Sequence, residues 1–360
     1  MLAIGRSRGA DGGQPFARPF PEEKPNEWAA DYNRIPSRAM ICLQLRTEGV
    51  GFMAMSGSSF RMMVAIAACA FGTVIVDAAE IRVDMTVSSG AILEGKIKAG
   101  DFDKLRSFIF DGDGAENIFL VSPGGDLAEA MKIGRLVRQL KLTTSIPDKL
   151  RPASRFDSKY QKEWIARYNL KDLKANYMCA SACFFVFVAG IHREVAGWLS
   201  DLEPVLGIHR PYLSENDLRA LSSDKAIAVG TRTRVVVEDY LKEMGVPAKY
   251  ADQMFSAPKN EVRWIKNDEF EADFNGFIPG LKDWVDARCD KRTEIEKRIW
   301  EEVKDKTNAQ LSTAERVMTE VILKKNEGQD KCERDIQSEL AIQAYRDALE
   351  KRNDRKRPNQ

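Results

Sequence analysis

The chain has 360 residues, with 55 Lys and Arg against 54 Asp and Glu, only two histidines, six cysteines and 44% hydrophobic residues. That length is ample for a core burying roughly 75% of the unfolded surface. The cancelling charge argues against nucleic acid as a partner and against a chain held open by self-repulsion. Two histidines with no Cys/His cluster at zinc spacing argue against a metal site, and no cofactor is expected.

Residues 1–39 mix Gly, Pro and charges without helical or strand periodicity, and 1–54 read as disordered or as lying before the true start. From Met55 the pattern becomes that of a secretory signal peptide. Arg61 gives a positive start, Met62 to Val76 an apolar run of 15 residues, and Val76 with Ala78 a small-residue cleavage pattern. The expectation is translation from Met53 or Met55, export to the periplasm and cleavage near residue 78. An uncleaved anchor over residues 62–76 is the rival, although 15 residues fall short of the ~20 that span a bilayer.

In the mature chain, "EIRVDMTV" and "AILEGKIKAG" read as strands, "DFDKLRSFIF" as a helix and "ENIFLVS" as a short buried strand. "DLAEAMKIGRLVRQL" is an amphipathic helix with Leu127, Met131, Ile133, Val137 and Leu140 on its apolar face, followed by the strand "LTTSI". Such βαβ alternation predicts an α/β fold with parallel strands. Residues 148–176 form a polar insertion with a helix at "SKYQKEWIARYNL". Then "REVAG", "PVLGIH" and "EVRWI" read as strands and 215–244 as a long helix, placing the domain over 79–282. Residues 283–360 are charged helices that either pack loosely or hold a partner, ending in a frayed basic tail at Lys351, Arg352, Arg355, Lys356 and Arg357. In an oxidising compartment Cys289 and Cys332, 43 residues apart, are the expected disulfide.

Three segments could carry chemistry. In "FLVSPGGDLAEA" a buried strand meets Pro123, Gly124 and Gly125, with Asp126 as a helix N-cap, and bare amides at such a turn suit a phosphate or an oxyanion. In "YMCASACFFVFVAG" a helix starting near Ala180 puts Ser181 at its positive end, as nucleophile or as N-cap. Cys179 and Cys183, about 200° round the axis from it, would face the core as buried thiols rather than as a disulfide. In "PVLGIHRPY", His209 lies 28 residues after Ser181 and is the available base, whereas His192 reads as a surface or strand-edge residue.

The order Ser-Pro-Gly-Gly, then a small-residue serine opening an apolar helix, then Gly-x-His-x-Pro, resembles the ClpP/crotonase superfamily over about residues 81–280, and within it the exported ClpP-like proteins. The resemblance implies a repeated ββα core with a C-terminal helical extension. It also implies a serine peptidase with Ser181 as nucleophile, His209 as base, the amides of Gly125 and Ala182 as oxyanion hole, and Gly124 against the substrate. The acid falls in "PKNEVRWI", where Glu261 is chosen over Asn260 and Asp252, and a Ser-His dyad without a carboxylate stays open. The partner implied is a peptide or protein substrate. A homo-oligomer, and a protein held by the C-terminal helices, are left open. A scaffold that kept the fold without turnover is the alternative function. An acyl-CoA enzyme is disfavoured because its cofactor is cytosolic.

Overall fold

Two sheets and ten helices are made by the periodic segments in residues 79–84, 90–112, 114–149, 166, 172–197, 203–212, 219–304, 306, 307 and 309–356, which are those described by the computed structural model. The signal-like stretch 55–78 and most of the 148–176 insertion, with its expected helix, lie outside the described residues.

The larger sheet has six strands in the order β1-β2-β3-β4-β6-β9. Here β2 (Gly90–Glu94), β3 (Asn117–Val121), β4 (Thr143–Pro147) and β6 (His192–Ala196) are parallel, while β1 (Glu80–Asp84) and β9 (Gly276–Phe277) run antiparallel at the edges. The smaller sheet joins β5 (Cys179–Ala180), β7 (Leu206–Ile208) and β8 (Arg263–Trp264) in that order, with β7 parallel to β5. Bridges from Ile97 to Gly125 and from Ser122 to Cys179 extend it sideways through the continuations of β2 and β3.

The chain therefore repeats one path four times, from the large sheet to the small one and into a helix. The four helices are α1 (Asp101–Asp111), α2 (Leu127–Gln139), α4 (Ala182–Phe187) and α5 (Ser223–Glu243), with the short α3 (Leu173–Asn176) before β5. The fold is mixed α/β. The long helix expected over 215–244 starts at Ser223, and α4 starts at Ala182, two residues later than expected.

Local chemistry fixes the helix ends. Asp126 caps α2 by accepting from the Glu129 amide at 2.9 Å, and Glu129, itself buried, accepts from the amides of Gly100 and Phe102 and so caps α1. The core lies where α2, α4 and α5 meet. Gly134 is glycine because a Cβ there would stand 1.9 Å from the Tyr240 hydroxyl, which donates to the Phe185 carbonyl at 2.7 Å.

Arg193, 2% exposed, pairs with no carboxylate among the described residues. Its guanidinium donates to the carbonyls of Val188, Gly190 and Met244, at the C-terminal ends of α4 and α5, where the helix dipoles are negative. Burial first, and then the charge of Arg138, pull its pKa down to about 9.

The charged C-terminal segment is anchored at two places. Phe277, Val285, Cys289 and Ile336 form a separate apolar cluster, bringing α8 (Pro279–Asp286) against the last helix, α10 (Thr313–Lys356). Before α8 come α6 (Lys249–Ser256) and α7 (Asn267–Asp273), and after it α9 (Glu294–Val303). The expected Cys289–Cys332 disulfide forms, with 5.7 Å between Cα atoms. Further along α10, Ala341 and Ala348 enter the main core, Tyr345 stacks on Phe110, and Arg352 pairs with Asp111 at 2.8 Å. Its far end is thus packed on the α/β domain.

Candidate active site

The site forms where strands of the smaller sheet turn into helices. Ser181 joins β5 to α4 with φ 55° and ψ −119°, and only one other described non-glycine residue, Lys141, has a positive φ. Such a conformation is costly for a residue with a Cβ and persists only when its surroundings impose it. Here the Ser181 amide donates to Gly207 O of β7 at 3.0 Å, and the Ala180 amide donates to Ser122 O at 3.0 Å. Sharp strand-to-helix turns of this kind lift a serine hydroxyl out of the sheet. Ser181 is half-buried and its side chain makes no capping bond to α4, so the hydroxyl is not spent as an N-cap.

The Pro-Gly-Gly turn lies against this elbow. Gly124 has φ +99° and Gly125 φ +145°. A Cβ on Gly124 would stand 2.6 Å from Ala180 O, 2.6 Å from Ser181 Cβ and 2.8 Å from the Ala182 amide. The Gly124 amide donates to the buried Ser122 hydroxyl at 3.1 Å, the Asp126 amide just after the turn donates to Ile97 O at 2.9 Å, and Gly124 O accepts from the Ile97 amide at 2.8 Å. Among the described residues the amides of Gly125 and Ala182 donate to no backbone carbonyl. Two uncommitted N–H groups beside one serine are what a developing oxyanion requires.

His209 follows β7, two residues beyond the Gly207 whose carbonyl accepts from the Ser181 amide. The ring is half-buried, meets Tyr212 edge-on with centroids 5.3 Å apart, and donates from Nε2 to the Lys259 carbonyl at 2.6 Å. A carbonyl can only accept, so the proton sits on Nε2 and the lone pair on Nδ1. No carboxylate of the described residues pairs with it: Glu261 is exposed and Asp252 is bound to Arg234 at 2.5 Å, while Asn260, also exposed, has an amide and no charge to offer. The fold thus brings together Ser181, Gly124, Gly125, Ala182 and the strand bearing His209, and does not bring the Glu261 carboxylate to the ring.

Two expectations are corrected. Cys179 and Cys183 are bonded to each other, with Cα atoms 5.2 Å apart, rather than being free thiols. Both are buried, as expected, but they are not on one helix: Cys179 opens the two-residue strand β5 and Cys183 lies in the first turn of α4, and the elbow between them turns the sulfurs together. His192 is in a paired strand, 14% exposed at its side chain and edge-on to Phe277, and burial pulls its pKa down to about 4. The Lys259 carbonyl and the Ser122 hydroxyl were invisible to sequence reasoning, because a backbone acceptor has no residue-type signal and a serine before Pro-Gly-Gly reads as turn.

No protein-family model matches the sequence, and a search of curated proteins gave no match. Among solved structures, two variants of the 1510-N membrane-bound stomatin-specific protease are similar at 18% identity and a TM-score of 0.31. The alignments cover 51% of this chain, with 73% of one neighbour and 69% of the other, which is in complex with a substrate peptide.

Proposed function

We propose that this chain is an exported ClpP-like serine peptidase. The observation that carries the reading is the Ser181 elbow, a hydroxyl free of capping duty on a strained turn beside the uncommitted amides of Gly125 and Ala182. In this reading Ser181 Oγ attacks a peptide carbonyl carbon and its proton passes to Nδ1 of His209, the ring nitrogen left open by the Lys259 carbonyl. The oxyanion is held by the two amides. The imidazolium then protonates the leaving amine, and water activated by the same histidine releases the acyl group and restores Ser181. The carbonyl of Lys259 orients the ring in the place where a triad has its carboxylate, and Glu261 is the acid that the family resemblance offers. Two disulfides among the described residues support a location outside the reducing cytoplasm.

Fluorophosphonate labelling of the purified protein, read by intact mass, tests the reading. One adduct on wild type, absent in Ser181→Ala and strongly slowed in His209→Ala, is the expected result. No adduct on a folded protein rejects it. One observation favours the second reading, a binding or scaffold protein: no carboxylate of the described residues pairs with His209 to stabilise the imidazolium.

A further inference from the structure

The disulfide that the sequence does not lead one to expect encloses the residue on which the chemistry depends. Cys179 is fixed in β5, where its amide donates to Val205 O at 2.9 Å and its backbone bridges to Ser122. Cys183 is the second residue of α4. Only Ala180, Ser181 and Ala182 lie between them, and both cysteines are 0% exposed.

The elbow needs a restraint of this kind. Its backbone conformation is unfavourable for serine, and α4 is a six-residue helix with no side-chain cap at its start. A helix that short is marginal and frays unless something holds its first turn. The backbone bonds from Ser181 to Gly207 and from Ala180 to Ser122 hold the strand side of the turn. The sulfur–sulfur bond holds the helix side to the strand side. Without it, Ser181 can relax toward an ordinary negative φ, which swings Oγ and the Ala182 amide away from Gly124 and Gly125.

We propose that the Cys179–Cys183 disulfide is a positioning bond for Ser181, and that its reduction lowers the reactivity of the serine without unfolding the domain. This rests on Ser181 being the nucleophile. In the reduction, a dithiol gives up two electrons and two protons and closes its own disulfide, while the bond between the two sulfurs breaks and leaves Cys179 and Cys183 as thiols. Because both sulfurs are buried, attack waits for the β5–α4 turn to open. Activity therefore follows the redox poise of the compartment slowly, on the timescale of that opening.

The test uses the full chain carrying Cys289→Ala and Cys332→Ala, so that among the described residues only the elbow disulfide remains, and compares it with the same chain also carrying Cys179→Ala and Cys183→Ala. Two quantities are read: the rate of fluorophosphonate labelling across pH, and hydrogen–deuterium exchange at residues 178–184. Loss of the bond is expected to slow labelling at least tenfold with the pH midpoint unchanged, since the base is untouched. Exchange at Ser181 is expected to speed up at least tenfold while β2, β3 and β4 stay protected. Unchanged labelling, or unchanged exchange at Ser181, overturns the proposal. If neither form labels, the peptidase reading fails and the exchange result alone decides the positioning role. Should the alanine variant unfold, dithiothreitol reduction of the control chain breaks the same bond with no change in side-chain volume and is read in the same way.

Discussion

Gly124 and Ser181 touch through their backbones: a methyl group on the glycine would stand 2.6 Å from the serine Cβ and 2.8 Å from the amide that follows it. The turn and the elbow can coexist only if position 124 has no side chain. Its φ of +99° independently excludes one. Gly124→Ala is expected to cost about 2 kcal/mol or more of stability and to lower fluorophosphonate labelling at least a hundredfold. Thermal unfolding and intact mass on the same sample check both, and a variant that labels at the wild-type rate refutes the contact's role.

The ring of His209 is oriented by a carbonyl, which no side-chain substitution removes. Glu261→Gln is therefore expected to leave the labelling rate within about twofold of wild type, and Asp252→Asn likewise, because that carboxylate is engaged with Arg234. A drop of a hundredfold in Glu261→Gln would instead identify Glu261 as the acid, acting after a movement of the loop that carries it.

His192 links stability to pH. Burial against Phe277 holds its folded-state pKa at about 4, below the unfolded value near 6.5. Above pH 6.5 both states are neutral and nothing is lost. As pH falls toward 4 the unfolded chain takes up a proton that the folded chain refuses, so stability drops, by up to about 3 kcal/mol. His192→Gln is expected to lose less melting temperature than wild type between pH 7 and pH 4.5. Parallel losses in the two proteins would show that the histidine is not the group responsible.

Cys289 and Cys332 close a loop of 43 residues and join the turn after α8 to the middle of α10. For a loop of that size the bond is worth about 4 kcal/mol in the chain-entropy model. Cys289→Ala with Cys332→Ala is expected to expose α9 and the first half of α10 to proteolysis while sparing the α/β core. Fluorophosphonate labelling of the trimmed product at the wild-type rate would confirm that this staple and the elbow are independent. Proteolysis unchanged from wild type would mean that the apolar cluster around Ile336 suffices.

The sequence by itself determined the elements and their order. Apolar runs such as Ile118 to Val121 and Phe184 to Val188 could only be buried, and Asp126 before an amphipathic stretch could only begin a helix, because hydrophobic period and capping are local properties. It also singled out the glycine pair, Ser181 and His209, since turn chemistry and rare residue types leave a signal in composition, and the long-range pairing of Cys289 with Cys332. The tertiary structure decided what depends on direction. Whether two cysteines four apart bond or face the core as thiols is tied to the φ of the serine between them, and that angle depends on contacts with Gly207 and Gly124 from distant parts of the chain as well as on the bond itself. The partner of His209 was likewise undecided along the sequence, because a backbone carbonyl belongs to every residue and only the path of the chain puts that of Lys259 within 2.6 Å of the ring.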